Sequence, residues 1–118
     1  MPYMLLILEP PAQRKTRSEA EGQAVYERML RFADDLQTRG LLLAAESLGS
    51  HSNAARVQVQ GGQRRVMDGP FAEAKEMIGG FFLINTEIRE EAISIAAQCP
   101  AAEWCTVEVR SLAPCYED

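Results

Sequence analysis

The stretch from His51 to Lys75 carries the side chains of this chain best suited to proton transfer and anion binding: His51, Arg56, Asp68, Glu73 and Lys75. A histidine beside a carboxylate can serve as a general base, and Arg or Lys can hold an anionic substrate. Asp68 opens the run Asp68-Gly69-Pro70-Phe71. Asp can bond the backbone ahead of it, Gly accepts positive φ, and Pro fixes φ while removing a donor, so the run specifies a sharp loop. Loops of this kind often carry sites. Each residue also has a plainer reading. Asp68 serves as a turn cap, His51 as one more polar residue among Ser50, Ser52 and Asn53, and Glu73, Lys75 and Glu76 as a solvated turn. Phe71 is an anchor to the core or the wall of a pocket.

What would bring these residues together is a β-hairpin. Val57 and Val59 alternate with Arg56, Gln58 and Gln60, and Gly61-Gly62 then leads into Gln63 to Met67. Two glycines between alternating runs fit a two-residue primed turn. That turn sets Gln58 opposite Arg65, Arg56 opposite Met67 and Ala55 opposite Asp68. The polar loop Gly49 to Ala54 then lies beside the Asp68-Gly69-Pro70-Phe71 turn, and Asp68, His51, Arg56, Phe71, Glu73 and Lys75 converge at one end of a sheet.

The rest of the chain supplies the frame. Tyr3 to Leu8 is a continuous apolar run closed by Glu9-Pro10-Pro11, a strand buried on both faces. Ser18 with Glu21 three residues on is a capping box. It starts a helix over Ser18 to Arg39, whose Val25, Met29, Phe32, Ala33 and Leu36 share one stripe and whose stop is Gly40. Leu41 to Leu48 reads as a second strand. Gly79-Gly80 opens a strand through Phe81 to Ile84, accommodating either a bulge or the approach of a ligand. Asn85 or Thr86 caps a second helix over Glu87 to Gln98, Pro100 stops it, and Cys105 to Leu112 closes the chain as a strand.

The order β-α-β, hairpin, β-α-β predicts one α+β domain over residues 1–118, with both helices on one face of the sheet. The strands at Tyr3 and Phe81 are apolar on both faces, so a second copy of the chain is expected to cover the other side as a homodimer. Trp104 and Tyr3 read as core or dimer contacts rather than as a stacking platform for a ligand.

Composition excludes several classes. Twelve Lys and Arg against 17 Asp and Glu give a net charge of −5, which disfavours direct nucleic-acid binding; Arg64 and Arg65 read as solvated strand positions. No apolar run reaches the ~20 residues of a membrane span. The opening residues lack the basic region of a signal peptide, so a cytoplasmic location is expected. Cys99, Cys105 and Cys115 form no C-x-x-C pair and read as reduced thiols. One histidine and no ligand spacing suggest no metal, and no phosphate-binding glycine loop suggests a cofactor.

The opening YMLLI strand, the capped first helix, the loop DGPFAEAKE, the GGFFLI strand, the Pro100-Ala101 pair and the closing VEVR strand together resemble the DGPF branch of the YCII-related family. Ala74 departs from it, since relatives commonly place Thr there. The resemblance implies a ferredoxin-like α+β fold, with the hairpin inserted, assembled as a dimeric α/β barrel. Some distant members carry a His–Asp pair in a cleft, but the first helix here holds no such His. The branch is also linked with extracytoplasmic-function sigma factors. Two functions follow as expectations. One is the binding of a small polar or anionic molecule beside the DGPF loop, with acid/base catalysis by Asp68 and His51 as its enzymatic form. The alternative is a non-enzymatic regulatory or interaction protein with a transcription-related partner.

Overall fold

In the computed structural model, which describes residues 1–118, strand β1 (Tyr3–Glu9) runs through the middle of the molecule. Side chains alternate across a strand. Leu5, Ile7 and Glu9 are therefore buried on one face, while Met4, Leu6 and Leu8 lie half-buried on the other. β1 pairs antiparallel with β5 (Met77–Ile84) and with β6 (Thr106–Ser111), and β2 (Leu42–Ser47) adds to the outer side of β5. The sheet order is β2-β5-β1-β6. With the hairpin set aside, this is the ferredoxin-like α+β arrangement.

Helix α1 (Glu19–Thr38) begins at Ser18, whose hydroxyl accepts from the Glu21 amide at 3.1 Å while the Glu21 carboxylate accepts from the Ser18 amide at 3.0 Å. The expected capping box is formed, and the Ser18 amide holds the Glu21 carboxyl below its usual range. Phe32 and Leu36 seat α1 on the sheet, with the Phe32 ring edge-on to Phe82 at 5.1 Å. Helix α2 (Arg89–Gln98) adds Ala92, Ile95 and Ala96 to the same core. It starts later than the sequence suggests. Ile88 occupies the cap position and the Thr86 hydroxyl accepts from the Ile88 amide at 3.2 Å, so the polar group sits two residues ahead of the cap. No helix is long and apolar enough to cross a membrane.

Both helices lie against one face, as expected. The opposite face carries Met4, Leu6, Leu8, Phe81 and Leu83, all half-buried, with Ile78 exposed at its end. Two layers give the molecule a thickness of 19 Å against 47 and 42 Å in the other directions.

Strands β3 (Ala55–Gln60) and β4 (Gln63–Asp68) form a separate two-stranded ribbon. Its register pairs Ala55 with Asp68, Arg56 with Met67 and Gln58 with Arg65, as read from the sequence. Gly61 and Gly62 turn it at φ of 55° and 77°, the left-handed values that a primed turn demands at both positions.

β5 starts at Met77 rather than at the glycine pair. Ile7 pairs with Gly80 and Leu8 with Ile78, so Gly79 is the extra residue of a bulge. What requires glycine at both positions lies across the sheet. A methyl on residue 79 would overlap the Glu9 carboxylate, and one on residue 80 would meet the Glu46 carbonyl oxygen at 2.8 Å.

Candidate functional site

The DGPF turn is fastened to the base of the ribbon. Gly69 donates its amide to the Ala54 carbonyl at 2.8 Å, and Ala54 in turn donates to the His51 carbonyl at 3.1 Å. The Gly69–Pro70 peptide is cis. Residue 69 lies so close to the His51 carbonyl that a side chain there would overlap it. The Phe71 carbonyl accepts from the Ala74 amide at 3.0 Å, which closes the following turn.

Phe71 is buried at 5 % exposure, outside the main core cluster, and walls the hollow described below. The His51 imidazole meets its ring edge-on, with centroids 5.6 Å apart, and the Arg56 guanidinium carbon lies 3.8 Å from the ring centroid. Arg56 also donates from Nη1 to Glu73 Oε1 at 3.2 Å. Ser50 and Ser52 hold the His51–Asn53 turn, the Ser50 hydroxyl accepting from the Ser52 amide at 3.2 Å. Beneath, the His51 amide faces Met77 Sδ at 3.5 Å. The result is a hollow of about 580 Å³ lined by His51, Asn53, Arg56, Phe71, Glu76 and Met77 among others, a size that suits a small ligand.

Of the residues singled out from sequence, His51, Arg56, Phe71 and Glu73 are brought together. Asp68 and Lys75 are exposed, line no part of the hollow, and enter no side-chain hydrogen bond or ion pair. For Asp68 the reason is strand parity: adjacent pairs of a ribbon point to opposite faces, so Asp68, paired with Ala55, faces away from Arg56, paired with Met67. The His51 ring makes no hydrogen bond to a carboxylate. The arrangement offers a cation stacked on an aromatic ring with an imidazole beside it, which suits binding of an anion.

A family model described as the YCII-related domain matches residues 1–115. The chain belongs to the YCII-related family. A relative within reach of this YCII-related chain is an uncharacterised protein of Rhizobium meliloti (strain 1021), 37 % identical over 115 residues, covering 96 % of this chain and 93 % of that protein.

The YCII-related chain also holds a polar pair that the sequence reading passed over. Glu9 is 6 % exposed and accepts from Arg14 three times: from Nη2 to Oε1 at 2.6 Å, and from Nε to Oε1 at 3.1 Å and to Oε2 at 3.3 Å. Arg14 Nη2 also reaches the Gly79 carbonyl at 3.4 Å. The signal was parity, because Glu9 stands in phase with Leu5 and Ile7. Nearby, Cys105 is half-buried, and its thiol is pushed up by burial, with Glu9 adding to the shift and Arg17 opposing it. Burial also pushes the Cys99 thiol up, to about 11. No group of three or more His, Cys, Asp or Glu side chains is placed to hold a metal ion.

Proposed function

We propose that this protein binds a small polar or anionic molecule in the hollow beside the DGPF loop, with Arg56 and His51 as its contacts. The observation that supports this is the stack of Arg56 on Phe71, with His51 against the edge of the same ring. Glu73 neutralises Arg56 from an exposed position, and an exposed pair of this kind is worth at most about 1 kcal/mol, so an incoming anion can displace it. Proton transfer by Asp68 with His51 is the catalytic form of the reading. Binding is the form the geometry favours, because Asp68 lies outside the lining.

Inorganic phosphate, malonate and citrate serve as probes in a thermal-shift titration. A contact ligand at a hundred times its Kd stabilises the fold by about 2.7 kcal/mol. At least one probe is expected to raise the melting temperature saturably, with Arg56→Gln losing the effect and Asp68→Asn keeping it. Saturable shifts that survive Arg56→Gln, or none for any small anion, would refute the assignment.

The bare apolar face of the sheet supports a second part of the reading, a homodimer formed face to face through Met4, Leu6, Phe81 and Leu83. Sedimentation equilibrium is expected to give twice the chain mass. A charge at Leu6, as in Leu6→Glu, is expected to weaken association at least a hundredfold, about 2.7 kcal/mol. A monomeric parent protein would rule the dimer out.

A further inference from the structure

A second and larger cleft, of about 790 Å³, opens between the N-terminal half of α1 and the helix side of the sheet. It shares no lining residue with the hollow at the DGPF loop. α1 is seated by its later turns, through Phe32 and Leu36. Its earlier apolar residues line the cleft instead: Val25 and Met29 half-buried, Tyr26 and Leu30 about half exposed at 52 % and 46 %. Ile7 and Phe82 form the floor. Hydrophobic residues make up 14 of the 25 that line it, so its occupant needs an apolar body.

Polar groups gather where Glu9, Arg14, Arg17 and Trp104 meet the cleft. Arg14 is committed to Glu9. Arg17 is not: it is half-buried, its guanidinium carbon lies 5.7 Å from the Trp104 ring centroid, and no carboxylate stands within ion-pair distance. Two further carboxylates, Glu19 and Glu46, line the cleft; both are exposed and neither pairs with Arg17. Among the lining charges that are not exposed, Glu9 and Arg14 pair and Arg17 is left over, its field reaching only the exposed Glu21 carboxyl, and its planar donor takes a carboxylate through two parallel hydrogen bonds. From Gly22 to Ala33 the α1 wall runs about 16 Å at 1.5 Å per residue, room for an extended acyl chain.

We propose that this cleft binds an amphipathic monocarboxylate, an acyl or aryl acid whose head meets Arg17 and whose apolar body lies along α1. This assignment is separate from the DGPF hollow.

Trp104 is the only tryptophan of the chain and lines the cleft, so its fluorescence reports the site directly. The purified protein is titrated with decanoate, decanol and decylamine, each below its micellar concentration. Decanoate is expected to change the signal saturably and to bind at least tenfold more tightly than the other two. Arg17→Gln should cost decanoate at least tenfold while leaving decanol within twofold. Gly22→Leu places a good helix former where a Cβ meets no atom within 4 Å, so the fold is retained and the cleft is narrowed at its α1 wall; decanoate and decanol should both bind at least tenfold more weakly. Equal affinity for decanoate and decanol, tighter binding of decylamine, decanoate affinity unmoved by Arg17→Gln, or no saturable change would each overturn the proposal.

Discussion

Arg14→Met is expected to lower the unfolding free energy by about 3 kcal/mol, because it strands the Glu9 carboxylate without its cation. Glu9 is 6 % exposed, and its side-chain hydrogen bonds come from Arg14. Breaking a buried pair from one side costs roughly 3–5 kcal/mol; the lower end applies here since the Arg14 side chain is 34 % exposed. A domain of this size has about 5–15 kcal/mol to lose, so the effect is large. Urea unfolding measures it. The double variant Glu9→Leu with Arg14→Met should regain most of the loss, since exchanging a buried pair for apolar side chains is often neutral or better. A single-variant loss under about 1 kcal/mol would show that Glu9 is served by water and that the pair behaves as a surface one.

Gly69→Ala should be nearly as costly, at about 2–3 kcal/mol, and should also dismantle the hollow. The new methyl would overlap the His51 carbonyl oxygen, which is backbone and cannot swing aside. The His51 turn and the DGPF turn must then part, and the Gly69 bond to Ala54 and the His51–Phe71 edge contact go with them. Gly49→Ala is the matched control. A Cβ at residue 49 meets nothing within 4 Å, and its effect should stay within about 0.5 kcal/mol. Equal unfolding midpoints for the two variants would mean that the DGPF turn tolerates separation from His51.

Much of the frame was legible because its determinants are local. The capping box at Ser18 and Glu21 marks the start of α1 within four residues of sequence. The Gly61-Gly62 pair sets the ribbon register, and alternation carries that register down to Ala55 and Asp68. The same alternation makes Asp68 and Arg56 face apart, which limits how many of the singled-out side chains can meet. The bulge at Gly79 was one of two readings of the glycine pair and is formed; what was not legible is its neighbour, a carboxylate brought there by a strand from the other end of the chain. Glu9 was overlooked for a related reason. Read next to Pro10 it is loop punctuation, and only its phase with Leu5 and Ile7 marks it as buried. As for the site, the neighbourhood of His51, Arg56, Phe71 and Glu73 followed from the hairpin, whereas side-chain direction at Lys75 depends on a loop with no repeating pattern.

The place of β1 in the sheet has a consequence for how the chain is made. It precedes β2 to β6 in the chain, yet its neighbours on both sides, β5 and β6, come last of the six. The run Tyr3-Met4-Leu5-Leu6-Ile7-Leu8 must therefore wait, unpaired, until Ile84 has been added on one side and Ser111 on the other. Non-local pairing of this kind is slow, and an apolar strand with open edges is what aggregates in the meantime. The residues that end the run, Glu9, Pro10 and Pro11, are a charge and two breaks in hydrogen bonding, the usual guards at the flank of such a segment. Glu9 thus combines two positions: the flank of an apolar run before the sheet closes, and the partner of Arg14 afterwards.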